Sequence, residues 1–251
     1  MSTAAHDLDN ISVVLYRPQR LFNIAGVVRA MLNTGLRHLR LVAPAEYEPH
    51  DIAGVVHRSA DLLAHTQLYD DLDSALADAT FVVGTSARAR TPARHGTPRE
   101  FAAEIRQRAL QGPVALLFGP EDNGLDNVAL DRCDAMLTIP VDPAYRSLNL
   151  AQAVLLVTYE IWMNVPPIVP GTPPPPPATA AQLARLMTLG EQWLWSIDFF
   201  KAHQARSQMR SVERIAHRAD LSEREAALLI AMLVESRKHL TNVTTDRTGA
   251  S

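Results

Sequence analysis

A run of prolines decides how this chain divides. In PPIVPGTPPPPP at 166–177, eight of twelve residues are proline. Proline lacks the backbone N–H that a helix interior or a central strand needs, and its fixed φ favours extended polyproline geometry. At roughly 3 Å per residue such a spacer reaches on the order of 35 Å. Two folded parts are therefore expected, a larger one over 1–164 and an all-helical one over 179–241. The linker falls at 165–178, and the polar tail at 242–251 is expected to be disordered.

The larger part alternates strands and helices. ISVVLY at 11–16 is β-branched and apolar and reads as a buried strand. Arg17-Pro18-Gln19-Arg20 breaks it, and Asn23 is placed to cap a helix over 24–34. At 100° per residue Ile24, Val27, Val28, Met31 and Leu32 share one arc, whereas Gly26, Arg29 and Asn33 face the other way. Gly35 supplies a left-handed stop before a strand at 38–44. A strand, helix and strand joined this closely imply parallel pairing and a right-handed crossover. The alternation continues through strands at 66–69, 80–84, 114–118 and 135–140 and an apolar helix that begins near Leu148. Asp70 or Asp71 starts one intervening helix, and Thr97 with Glu100 forms a capping box at the start of another. The fold class is α/β, a mostly parallel sheet flanked by helices. Pattern alone would draw it as an unknotted doubly wound sheet.

In such sheets ligands gather at the carboxyl ends of the strands. Three loops lie there. The first is Gly84-Thr85-Ser86-Ala87-Arg88-Ala89-Arg90, continuing through Arg94, His95 and Arg99. The second is Gly119-Pro120-Glu121-Asp122-Asn123-Gly124-Leu125, tightly turned and acidic. The third runs from Ile139 to Asn149, with Ser147 and Asn149 where the next helix exposes unpaired N–H groups. Arginines are dense in the first loop and have no evident acidic partners, so an anion or phosphate contact is expected there. Gly26 is costly within a helix, so Asn23, Gly26 and Arg29 form a bare, positively charged surface that a ligand could approach.

Other chemistries lack their residues. The chain has no GxGxxG after a strand, no Walker loop, no HExxH, no paired CxxC and no GxSxG. Its nine histidines are scattered without ligand spacing, so no metal is expected. Cys133 is the only cysteine, which excludes an internal disulfide and suits a reducing compartment. No signal peptide or membrane-spanning run is evident, and a cytoplasmic protein is expected. A net charge of −3 provides no uniform field for nucleic acid, so RNA contacts would have to be local arginine patches.

NIAGVVRAM at 23–31, LLFGPEDNGL at 116–125 and IPVDPAYRSLNLAQAV at 139–154, in that order, resemble the three signature motifs of the SPOUT-class RNA 2′-O-ribose methyltransferases. GTSARAR at 84–90 is similar to a segment of one branch, the bacterial tRNA (cytidine/uridine-32) 2′-O-methyltransferases. That branch carries a helical carboxyl-terminal extension like residues 181–241. The resemblance implies a trefoil knot in the catalytic part and a homodimer formed through the knotted region. It also implies S-adenosylmethionine as cofactor and tRNA as substrate. Thr85, Ser86, Ala87, Gly119, Gly124, Ile139, Arg146, Ser147 and Leu148 would enclose the cofactor. Arg146 stands where relatives commonly carry proline, so the bend there is expected to differ. Arg29, Asn23, Glu121, Ser147 and Asn149 would serve catalysis. Arg29 would hold phosphate and stabilise the developing alkoxide, because a guanidinium hardly deprotonates. Arg88, Arg90, Arg94 and Arg99 would touch the RNA backbone.

A ribosomal RNA methyltransferase is the nearest alternative, although such relatives usually carry an accessory domain at the amino terminus. An inactive RNA-binding homologue is a further one. LSEREAALLIAML at 221–233 superficially resembles the first helix of a helix-turn-helix regulator, but no recognition helix follows.

Overall fold

The computed structural model describes residues 8–45, 47–86, 93–164, 175–200 and 205–248. The chain divides into two compact units, Met1–Pro173 and Pro174–Ser251.

The first unit is built on seven parallel strands: β1 (Ile11–Tyr16), β2 (His38–Val42), β3 (Gln67–Tyr69), β4 (Phe81–Thr85), β5 (Arg94–Gly96), β6 (Val114–Phe118) and β7 (Ala135–Leu137). Their spatial order is β3-β2-β1-β6-β4-β7-β5. β1 and β6 are buried at every position, as expected for central strands covered on both faces. β5 was not anticipated: Arg94-His95-Gly96 has no β-pattern and pairs only through its backbone, at the sheet edge. β4 and β5 follow one another in sequence, yet β7 lies between them.

Helix α1 (Leu21–Asn33) buries Ile24, Val27, Val28 and Met31 completely, the arc read from the sequence. It starts three residues earlier than expected. Arg20 is its N-cap without a side-chain cap bond, and Asn23 lies inside the first turn, buried. Gly35 ends it with φ +76°. The short helices α2 (Pro49–Val55), α3 (Ala60–Ala64) and α4 (Leu72–Leu76) follow, and Asp71 caps α4 by accepting from the Ser74 N–H at 2.8 Å. α5 (Pro98–Ala109) opens on the Thr97–Glu100 capping box, and α6 (Asn127–Leu130) is a single turn. α7 (Leu150–Met163) packs on both α1 and α5.

Gly26 explains how α7 lies so close. A β-carbon there would sit 2.7 Å from Cβ of Ala151, so the missing side chain admits a neighbouring helix rather than a ligand. The far end of α7 is held by Arg106 of α5, whose side chain is 2% exposed. It donates to the carbonyls of Ile161 and Trp162 at 3.3 and 3.4 Å, a cation on the helix's negative end.

The second unit contains α8 (Ala180–Ser196), α9 (Ala205–Ala219) and α10 (Glu223–Thr248), with α8 packed on α9 and α10. Two expectations are corrected. The last prolines are part of the fold: Pro177 bridges Ser222, the Ala178 N–H donates to Leu221 and the Glu223 N–H donates to Pro176, both at 2.8 Å. Proline carbonyls remain good acceptors although the nitrogens cannot donate. The polar tail is also not irregular, because α10 runs on to Thr248. Ser222 and Glu225 form a capping box at the start of α10.

Candidate active site

Because β6, β4 and β7 are adjacent and parallel, the three loops that leave them emerge side by side. The Ser86 N–H donates to Leu137 at 3.0 Å, and the Thr138 hydroxyl donates back to Ser86 at 3.1 Å. Thr85 Oγ1 donates to Leu117 at 3.3 Å. These small hydroxyl residues therefore lace the three strand ends together. Gly119 has to be glycine, since a β-carbon would lie 2.4 Å from the backbone of Gly124 and Leu125. Gly124 has φ +66° and its missing side chain would face open space. Ile139 is half-buried on the core. Gly84 makes room beneath the loops for Cys133 and Met136, whose sulfurs would be 2.6 and 2.8 Å from a β-carbon there. Burial pushes the Cys133 thiol up, which leaves it inert.

Beside these loops a chain of hydrogen bonds ties α7 to α1 and to the β6–α6 loop. Asn149 is the N-cap of α7, and its Oδ1 accepts from the Ala151 N–H at 2.9 Å. With its oxygen committed, Asn149 presents its NH2 to Asn23 Oδ1, at 2.9 Å. Asn23 must then turn its own NH2 outward, and Nδ2 donates to Glu121 Oε1 at 2.6 Å. The second Glu121 oxygen accepts from the Gln19 N–H at 3.0 Å. Each amide can satisfy its neighbours in one orientation only, so the chain is polarised from helix N–H to carboxylate. Gln152 completes the cap by accepting from the Asn149 N–H at 3.3 Å.

This chain floors a cleft of about 560 Å³ lined by Gln19, Arg20, Asn23, Glu121, Asp122, Tyr145, Ser147, Leu148, Asn149 and Gln152. Glu121 and Asp122 outnumber Arg20, the one cation among the described lining residues, so the cleft is acidic by one charge. Gln19 holds the Asp122 carboxyl below the usual carboxylate range. Among the described residues no His, Cys, Asp and Glu group could hold a metal ion, and no helix is long and apolar enough to cross a membrane.

Asn23, Glu121, Ser147, Leu148 and Asn149 thus share one cleft, whereas Arg29 does not line it. Six residues further along α1, Arg29 is about 9 Å down the axis and about 120° around it. Its guanidinium donates to the Val55 carbonyl at 3.0 Å. The expected unpartnered basic edge is also corrected. Arg94 pairs with Glu104 at 2.7 Å and Arg99 with Glu160 at 2.8 Å, so acidic residues distant in sequence neutralise both. Ala87, Arg88 and Arg90 lie outside the described residues. Arg146 is exposed and does not line the cleft.

Sequence reasoning missed Gln19, Arg20, Asp122, Tyr145 and Gln152 as lining residues. Gln152 had a readable signal, an Asn-x-x-Gln capping pattern. Tyr145 had a weaker one, an aromatic side chain in a polar bend.

Residues 10–159 match the SpoU rRNA Methylase family. The chain belongs to that family. With it comes the class of enzyme, a methyltransferase, and the fold, a parallel SPOUT sheet with helices on its faces. The match contains the three segments that build the cleft: α1, the loop after β6, and the stretch from β7 into α7. The chain is 34% identical over 241 residues to the tRNA (cytidine/uridine-2'-O-)-methyltransferase TrmJ of Cronobacter sakazakii, covering 92% of this chain and 98% of that protein. TrmJ of Pectobacterium atrosepticum is 41% identical over 155 residues, 61% of this chain and 64% of that relative's length. Among solved structures, the crystal structure of TrmJ from Z. mobilis ZM4 matches with a TM-score of 0.78 and 30% identity, covering 90% of this chain and 98% of that one. That likeness extends into the helical unit that the family match leaves out.

Proposed function

We propose that this SpoU methylase transfers a methyl group from S-adenosylmethionine to the 2′-hydroxyl of a ribose in tRNA, at nucleotide 32 of the anticodon loop. The observation that carries the reading is the Asn149–Asn23–Glu121 chain, whose polar atoms sit in a cleft beside the gathered ends of β4, β6 and β7. The TrmJ names of relatives that cover nearly the whole chain support tRNA over ribosomal RNA.

The residues present suit the cofactor. A cleft with one excess negative charge favours a sulfonium and disfavours a phosphate. Ser147 and Leu148, which line the cleft, would hold it largely by backbone groups, as would Thr85, Ser86, Gly119, Gly124 and Ile139 from the strand-end loops. When bound, S-adenosylmethionine supplies an electrophilic methyl on a positively charged sulfur. The protein's part is to place a ribose oxygen in line with that carbon, and positioning of this kind can supply much of the rate. Ser147 and Asn149 would hold the ribose hydroxyls. Asn23 and Glu121 fix the Asn149 amide so that it costs no reorganisation during reaction. Arg29, outside the cleft, would leave the Val55 carbonyl to meet the phosphate flanking the target ribose. The same guanidinium would then favour the developing alkoxide. Arg88 and Arg90, with Arg94 and Arg99 when released from their carboxylates, would contact the RNA backbone.

A homodimer in the cytoplasm completes the proposal. α7 exposes Leu155, Leu156, Tyr159, Trp162 and Met163 along one side, an apolar stripe of the kind that second copies cover. A trefoil knot in the catalytic part belongs to the same reading. Mapping 2′-O-methyl groups on tRNA from a strain that lacks this protein tests the reading. Loss of a single methyl, at nucleotide 32, is the expected result. An unchanged tRNA map with a methyl missing from ribosomal RNA would favour the alternative substrate.

A further inference from the structure

Tyr145 has no place in the chemistry described so far, and its position is unusual. It is 76% exposed, yet it lines the same cleft as Asn23, Ser147 and Asn149. An exposed tyrosine on a loose loop would mean little, but this one is held by a local turn. The Asp142 carboxylate accepts from the Ala144 N–H at 2.8 Å, and the Tyr145 N–H donates to the Asp142 carbonyl at 3.0 Å. Such an Asx-type turn fixes the backbone that carries the ring. The backbone that carries the ring is thus fixed beside the cleft, and most of the residue's surface remains open.

The charge of the cleft restricts what can lie against the ring. With Glu121 and Asp122 against Arg20, the lining disfavours a phosphate. The neutral parts of a nucleotide, its ribose and its base, suit it better. Amide and hydroxyl groups at Asn149 and Ser147 suit the ribose. Nothing polar is needed for the face of a base, and an aromatic ring is what a base face stacks on.

We infer that Tyr145 is the stacking platform for the base of the nucleotide whose ribose is methylated. The inference rests on the proposed RNA ribose methylation. Stacking reads no hydrogen-bond pattern, so the platform holds a pyrimidine or a purine and sets the position of the ribose without setting base identity. Tyr145 is therefore a positioning residue for the substrate and takes no part in the proton or methyl transfer.

The test uses the full chain, tRNA transcripts and S-adenosylmethionine, with steady-state methyl transfer and calorimetric binding of the cofactor. Tyr145→Ala should raise KM for tRNA about 5- to 100-fold, the range expected for loss of one base–aromatic stack. Tyr145→Phe and Tyr145→Trp should stay within about twofold of wild type, because the ring and not the hydroxyl does the stacking. Cofactor affinity and thermal unfolding should be unchanged in all three. An unchanged KM in Tyr145→Ala overturns the inference. So does a loss of cofactor affinity that matches the loss of activity, because the ring would then belong to the S-adenosylmethionine pocket. A wild-type chain that binds the cofactor but methylates no RNA removes the underlying reading, and the inference falls with it.

Discussion

The two ends of α7 are both secured by side chains from distant parts of the chain, and they serve opposite ends. At its carboxyl end Arg106, 2% exposed, donates to the Ile161 and Trp162 carbonyls inside the fold. At its amino end Asn149 joins Asn23 and Glu121 in a chain of comparable geometry, but open to a cleft. The hydrogen bonds do not distinguish structure from function here. Access does: a polar network that solvent and ligand can reach is available for chemistry, and one sealed inside is available only for stability.

The largest expected effect is at the sealed end. Arg106→Ala removes a buried cation from the negative end of α7 and opens a cavity, so it should cost about 3–5 kcal/mol of stability. Chemical denaturation measures it, and fully folded variant at low temperature should keep normal turnover. At the open end the pattern inverts. Asn149→Ala should lower kcat about 100-fold, equivalent to about 2.7 kcal/mol at the transition state. Loss of the cap should cost only about 1 kcal/mol of stability.

Gly26→Ala couples the two properties. The helix gains about 1 kcal/mol in propensity, but the new methyl would meet Ala151 at 2.7 Å. Pushing α1 from α7 should give a net destabilisation of about 1–2 kcal/mol and a fall in kcat, since the Asn23–Asn149 bond spans the same contact.

Acid should strain a purely structural pair first. Arg40, 9% exposed, donates to both Asp78 oxygens at 2.6 and 2.7 Å, and this bond holds the Asp78 carboxyl below its ordinary value. Its contribution is full above the unfolded-state pKa near 3.9 and is lost as pH falls through the lower folded value. Asp78 is about half exposed, so screening keeps the effect to about 1 kcal/mol. Denaturation midpoints of wild type and Asp78→Asn should therefore converge as pH falls through that range. The smallest effect is expected from Arg99→Ala. Its pair with Glu160 is 82% exposed on the arginine side, and such pairs contribute less than about 1 kcal/mol.

The central strands were legible because β1, β4 and β6 bury β-branched and apolar residues on both faces. The hydrophobic arc of α1 was legible for the same reason. What failed was local reading of long-range partners. Asn23 looked like a cap because caps are recognised within three residues; its partners lie 98 and 126 positions away. Arg94 and Arg99 looked unpaired because Glu104 and Glu160 meet them only in the folded chain. Gly26 was rightly marked as a place of close approach, but a helix approaches there. Arg106 gave no signal at all, since the carbonyls it serves belong to α7, 55 positions on. The cleft's residue types could be named from motifs, while its acidity and the exclusion of Arg29 required the sheet order that brings the loops together.

The most direct test of the account is a single-turnover methyl transfer to tRNA by wild type and Asn149→Ala, each saturated with S-adenosylmethionine and followed by nucleoside mass spectrometry. The account predicts one 2′-O-methylnucleoside from wild type, formed about 100-fold more slowly by the variant at equal cofactor occupancy. Equal rates from the two proteins, or a methyl on a base in place of the ribose, would contradict it.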